Sequence, residues 1–370
     1  MPGSIPRIIF EGFCNWECIF TAPAYLLGSL MKLNKNSKLF INYFLGPLLF
    51  VWLSWSIYHQ IQKQPNISSA WQGIKESFST PLVWNLAAVI VLMIVNWSIE
   101  AIKWKISVRA IQQVSFLKAF RAVLSGVSFS VSTPNRVGEY LGRALYMDEG
   151  NRLKTISITI VGSISQLIIT LLMGCIGLII LRNEVETSQL ISPIWMQVIL
   201  YGTIAVLFGL LLFYFRLSWL IKWIDKLPGN KRFAYLVRAL EDFDAGLLLK
   251  LLLLSALRFI VFIIQYYLVF HLFAVEISWW QCLWSVSITF FVLAVIPSFA
   301  IAELGIRGEV SIKIIGLFSQ NNLGILMASA TIWLINLILP AVIGSILILM
   351  LRRIIRNKDK ADNTEPLVKK

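Results

Sequence analysis

Six stretches of the chain are apolar for long enough to cross a hydrocarbon core about 30 Å thick, which takes about 20 helical residues. They are Leu39 to Ile57, Leu82 to Glu100, Thr155 to Leu181, Pro193 to Phe215, Leu247 to Leu272 and Leu323 to Leu351. Two further stretches, Phe116 to Met147 and Cys282 to Phe318, are apolar but interrupted by Pro, Gly and charged residues, so neither reads as a simple crossing. Between the runs, Ile61 to Phe78 places Trp71, Ile74 and Phe78 at helical spacing and predicts a helix lying on the membrane surface. Met1 to Leu30 mixes Pro, Cys and aromatics without a spanning run, and is expected to be an extension or a disordered N-terminus ahead of a start at Met31. A transmembrane domain is expected over residues 31–351, with halves at about 39–181 and 193–351, and a basic tail over 352–370.

Composition agrees. Of 370 residues, 58% are hydrophobic and 14% charged, against roughly 25% charged in an average soluble domain. Mean hydropathy is +0.76, and a soluble globule of this size could not cover so much apolar surface. The fold class is therefore an all-α polytopic membrane protein. The formal charge of +14 would suggest nucleic acid in a soluble chain; here it reports topology, because Lys and Arg collect in cytoplasmic loops. If Lys32, Lys35 and Lys38 lie inside and each clean run crosses once, the segment from Lys103 to Lys154 falls inside with nine Lys and Arg. The loop from Arg216 to Arg238 follows with six, and the tail with seven. The outer segments hold only Lys63, Lys75 and Arg182.

That alternation requires the two interrupted stretches to dip in and return. The expected architecture is six full transmembrane helices plus two re-entrant helical hairpins, arranged as an inverted repeat of the kind found in transporters. Eight spans with two short crossings are the alternative. Both termini are expected in the cytoplasm, at the plasma (inner) membrane, and Trp219, Trp223 and the lysines of the loop from Arg216 to Ala245 suit an anionic leaflet.

The chemistry sits in the interrupted stretches. The first reads GVSFSVSTPNRVGEYLGRALYM, Gly126 to Met147, and puts Arg136, Glu139 and Arg143 within two helical turns at membrane depth, where charge is expensive. Thr133 and Pro134 end one helix and Asn135 is placed to cap the next. Arg136 and Arg143 suit a phosphate or carboxylate, with Glu139 as counter-ion or proton acceptor; a self-contained Arg/Glu staple is the structural alternative. The second reads AVIPSFAIAELGIRGEVSIKIIG, Ala294 to Gly316. Pro297 breaks the helix, Gly305 and Gly308 permit close backbone approach, and Glu303, Arg307 and Glu309 bring charge to corresponding depth. Arg258, about 16 Å into its run, must face protein or water, either binding the same anion or pairing with Glu303 or Glu309. If the hairpins meet, these side chains form one polar cluster. Asn96, Gln166, Gln265 and Asn336 read as interhelical hydrogen bonds. Cys14, Cys18, Cys175 and Cys282 and the lone His59 and His271 make no metal-ligand pattern, and no Ser/His/Asp set, P-loop or GxGxxG is present. No cofactor is expected.

The segments STPNRVGEYLGRA and PSFAIAELGIRGE resemble the paired signatures of the flippase-like family that includes the lysylphosphatidylglycerol synthase transmembrane region. Pro134, Arg136, Gly138, Glu139 and Arg143 match the first signature; Pro297, Gly305, Arg307 and Glu309 match the second. Asn135 stands where Gly is usual, and Gly308 intervenes between Arg307 and Glu309, so Glu303 is a further candidate for the acid's role. The resemblance spans about Leu39 to Leu351 and implies translocation of an anionic phospholipid or lipid-linked precursor, without the soluble aminoacyl-transferase domain. Two other readings stand beside it. One is an enzyme acting on a lipid or polyprenyl phosphate, with Glu139 or Glu309 as base. The other is a non-catalytic membrane partner of a separately encoded lipid-modifying enzyme. The partners expected are membrane lipids with anionic head groups and no nucleic acid.

Overall fold

A computed structural model describes residues 67–131, 133, 137–216, 243–296 and 300–350. The described residues are helical and contain no strand. In chain order the helices are α1 (Ile67–Phe78), α2 (Trp84–Val108), α3 (Phe116–Val131), α4 (Gly138–Ala144), α5 (Arg152–Ile180), α6 (Arg182–Thr187), α7 (Pro193–Phe215), α8 (Ala245–Leu272), α9 (Trp279–Val295), α10 (Ala300–Ile315) and α11 (Asn322–Met350).

Five helical stretches among the described residues are long and apolar enough to cross a membrane: Pro81–Val108, Glu149–Ile180, Pro193–Phe215, Ala245–Leu272 and Asn322–Met350. They coincide with five of the six runs read from sequence; the sixth, Leu39 to Ile57, lies outside the described residues, as do residues 1–30, the basic tail and most of the loop from Arg216 to Ala245. Their ends are written locally. Asp244 accepts from Leu247 N at 2.8 Å to cap α8, and Asn321 accepts from Gly324 N at 2.8 Å to cap α11. Ser278 and Gln281 close a capping box on α9. A π-helical turn at Leu334–Ile338 interrupts α11. The chain is an integral membrane protein.

The two interrupted stretches form helix–break–helix pairs, α3 with α4 and α9 with α10. The segments flanking each pair are hydrogen-bonded to one another. At the first, Gln112 Oε1 accepts from Asp148 N at 3.1 Å, and Asn151 Nδ2 donates to Ile111 O at 3.2 Å. At the second, Asn321 Nδ2 donates to Phe273 O at 3.1 Å and to Ala274 O at 3.0 Å, holding Ala274 in a left-handed conformation, φ 52°. An asparagine at the head of the following long helix thus ties down the segment after the preceding one at both pairs.

The first pair packs backbone to backbone. A Cβ on Gly142 would come within 2.6 Å of Gly126 Cα, and one on Gly138 within 2.3 Å of Phe129 O, so α4 lies against α3 at a distance only glycine allows. Thr133 Oγ1 accepts from Gly138 N at 2.7 Å and donates to Phe129 O at 3.1 Å, clasping the break. Pro134, Asn135, Arg136 and Pro297 lie outside the described residues. Within the stretch Ile61 to Phe78 a helix is present over Ile67–Phe78 as α1, with Phe78 edge-on to Phe273 at 5.9 Å.

Candidate functional site

The site is built on Glu100, two-thirds of the way along α2 and 4% exposed. A lone carboxylate there would be untenable. Three cations from three helices compensate it: Lys103 one turn on, its Nζ 2.9 Å from Oε2; Arg143 of α4, its Nη2 2.9 Å from Oε1; and Arg258 of α8, whose Nη1 donates to Oε2. Each cation is held from a second side. Lys103 Nζ donates to Gly162 O of α5 and to Ser255 Oγ of α8, both at 3.2 Å. Arg143 also pairs with Glu139 one turn before it on α4. Arg258 Nε donates to Asn96 Oδ1 at 2.7 Å, and its guanidinium lies over the Trp97 ring at 5.4 Å. Four helices, α2, α4, α5 and α8, are therefore joined through one carboxylate and its partners.

A second charged pair comes from α10. Arg307 Nη2 donates to Glu303 Oε1 at 2.7 Å and Nη1 to Tyr266 Oη of α8 at 2.9 Å, with Phe290 of α9 beneath the guanidinium at 5.7 Å. Arg307 and Glu303 are buried.

The two charged groups line one cavity of about 560 Å³. Glu100, Lys103, Glu139, Arg258, Glu303 and Arg307 give it a polar floor, while Phe259, Phe262, Phe290 and residues near the break after α9 give it apolar and aromatic walls. Three cations and three carboxylates line it; Arg143, behind Glu100 and Glu139, adds a fourth cation. Among the described residues the assembly carries a formal excess of one positive charge. Trp97 Nε1 and Asn336 Oδ1, on residues that also line the cavity, are buried without a hydrogen-bond partner. The π-turn brings Asn336 and Leu337 to the cavity wall.

The predicted site residues are thus largely gathered, with three corrections. Arg258 pairs with Glu100 and Asn96, where sequence offered Glu303 or Glu309. Glu309 lies two residues past Arg307, on another face of α10, and pairs with Lys313 at 3.3 Å, away from the cavity lining. Lys103, counted by sequence only among the charges flanking the spans, is 1% exposed inside the helical packing, whereas Arg143, expected at depth, is 2% exposed there. Arg136 lies outside the described residues. Gly305 and Gly308 are buried within α10. Gln265 makes the expected interhelical bond, donating to Val89 O at 2.9 Å, and Gln166 lines the cavity. No group of three or more His, Cys, Asp or Glu suited to a metal occurs among the described residues.

Glu100 and Lys103 escaped the sequence reading because hydropathy falls at Glu100, so the apolar run was ended there. The available signal was the helix that continues past it: Glu100 and Lys103 stand one turn apart, and Trp104 and Val108 extend the buried face.

An all-helical membrane bundle with buried charges around an amphipathic cavity, assembled from two broken helix pairs, is a fold suited to handling polar groups inside a bilayer. The family model for the lysylphosphatidylglycerol synthase TM region matches residues 43–344, and the chain belongs to that family. A comparison with curated protein sequences gave no match.

Replacing Glu100 by Gln leaves Lys103, Arg143 and Arg258 mutually repulsive and undercompensated. The expected loss is about 3–5 kcal/mol of stability, read as the midpoint of thermal unfolding in detergent. Glu303→Gln, which strips one partner from an arginine that retains Tyr266, should cost less. Equal midpoints for Glu100→Gln and the wild type would contradict the assignment of Glu100 as the anchor.

Proposed function

We propose that the protein is a lipid translocase, moving an anionic phospholipid or a lipid-linked precursor between the leaflets of the inner membrane. The observation that carries this reading is the cavity. It joins a floor of three cations and three carboxylates, backed by the further cation Arg143, to aromatic and aliphatic walls, as an anionic head group attached to acyl chains requires. The head group lies between Arg258 and Arg307, with Glu100, Glu139 and Glu303 keeping the cations in place when the cavity is empty. Arg136, from the first signature, is proposed as a further contact for the head group. The acyl chains remain in lipid. Glu309, paired with Lys313, is assigned to holding α10 in place.

We read the chain as six crossings with two re-entrant hairpins, α3–α4 and α9–α10, related as an inverted repeat, and with both termini in the cytoplasm. Three features support this. At 1.5 Å per residue α3, α9 and α10, of 16, 17 and 16 residues, reach about 24–26 Å, short of the roughly 30 Å core. Each pair begins and ends at one asparagine-tied corner. Each half then repeats the order long helix, broken pair, long helix. Labelling of single cysteines at Ser115 and Asp148 checks the first hairpin: an impermeant reagent should reach both from the cytoplasmic side, whereas labelling from opposite sides would establish a crossing.

Transport itself is tested in liposomes carrying head-group-labelled phosphatidylglycerol. Wild-type protein should move the label between leaflets, and Arg258→Gln combined with Arg307→Gln should lower the rate by about a hundredfold, the loss expected when two charge-assisted contacts of about 1.5 kcal/mol each are removed. Equal rates for the two proteins would sink the proposal.

A further inference from the structure

Helix α2 sorts its charges to opposite faces. At 100° per residue, Trp97, Glu100, Lys103 and Trp104 share one face, which is buried. Ile102, Lys105, Ile106 and Arg109 share the other. Lys103 is buried and triply bonded; Lys105, two residues on, is exposed, and so is Arg109. Neither Lys105 nor Arg109 has a side-chain hydrogen bond or ion pair among the described residues. Four residues apart on one helix face, they stand about 6 Å from each other, a spacing at which two cations can grip one phosphate from either side.

These two side chains rim a groove of about 540 Å³, walled by Ile102 and Ile106 of α2 and by Val114 and Phe116 where the chain turns into α3. The groove sits at the end of a transmembrane helix, so its cations lie at the level of lipid head groups. Its walls are apolar: Phe116 is 42% exposed and Ile102 39%. From Ile102 the exposed stripe continues up the same face of α2 through Val95, Ile94 and Val91. A polar end with two unpaired cations therefore opens onto a track long enough for an acyl chain.

The helix dipole accounts for the sign of the charge. Cations are favoured in a last turn, and Lys105 and Arg109 stand at the C-terminal end of α2. It does not account for the groove or for the apolar stripe leading out of it. An acidic protein segment would satisfy the cations but would gain nothing from the stripe. A free phosphate would leave the walls unused.

We infer that this groove is a binding site for an anionic phospholipid of the surrounding leaflet, with the phosphate between Lys105 and Arg109 and one acyl chain along Ile102, Val95 and Val91. The site faces away from the central cavity, and a lipid held there is a fixed neighbour of the bundle that braces the corner between α2 and the first broken pair. Its occupancy is independent of transport.

The test places a fluorescent amino acid at Gln113, which borders the groove, in the full-length protein in nanodiscs, and measures quenching by brominated phosphatidylglycerol or brominated phosphatidylcholine. Phosphatidylglycerol should reach half-maximal quenching at about a thirtyfold lower mole fraction, the preference expected from two head-group cations at about 1 kcal/mol each. Lys105→Gln with Arg109→Gln should abolish the preference, and the charge-conserving exchange Lys105→Arg with Arg109→Lys should keep it. Equal quenching by the two lipids in the wild type, or an unchanged preference in the double Gln variant, overturns the inference. So does displacement of the quencher by millimolar glycerol phosphate, which would make the groove a site for soluble anions.

Discussion

The arrangement depends on a carboxylate that cannot stand alone. Glu100 is buried at membrane depth, where removing one ion from its partners costs several kcal/mol, and it is stable because α2 itself, α4 and α8 each deliver a cation to it. The constraint works in both directions. Arg143 and Arg258 would be costly without Glu100, and once drawn to it they fix the position of the first broken pair against α8. The Gly126–Gly142 contact and the Thr133 clasp then bring α4 close enough for Arg143 to reach. Asn151 and Asn321 close the corners, so that each broken pair is held by charge on its second helix and at its base by amide hydrogen bonds.

Function follows from the same economy of charge. Glu100 uses two of its neighbours as structure, yet Arg258, Lys103 and Glu100 itself still line the cavity beside Arg307 and Glu303. The apolar walls come from α8, α9 and α11, and the polar floor from α2, α4, α8 and α10, so the cavity draws on both broken pairs and on the long helices packed beside them. One unbalanced positive charge is a modest attraction in water and a large one in a space flanked by hydrocarbon. For the translocation we propose, that difference favours a singly charged head group, which has to leave again, over one that would bind permanently.

Much of this was legible in the chain. The five described crossings announce themselves as uninterrupted apolar runs, and both broken pairs as apolar stretches carrying Pro, Gly and charge. Glu139, Arg143, Arg258, Glu303 and Arg307 were named from charge at depth alone. What the chain could not declare was partnership. Arg258 meets a carboxylate 158 residues away, chosen by how helices pack and not by spacing. Lys103 and Lys105, identical in type and two residues apart, have opposite fates because helical phase turns one inward and the other to the lipid. A hydropathy reading treats both as the start of a loop, and with them loses Glu100.

The central claim is that the cavity receives the head group of an anionic lipid, and crosslinking from its wall addresses that most directly. A photoreactive amino acid at Leu167, which lines the cavity, would be activated in nanodiscs holding equal amounts of phosphatidylglycerol and phosphatidylcholine. The account predicts adducts strongly enriched in phosphatidylglycerol, with the enrichment lost when Arg258 and Arg307 are both changed to Gln. Adducts in the same ratio as the bulk lipids, in the wild type, would contradict it.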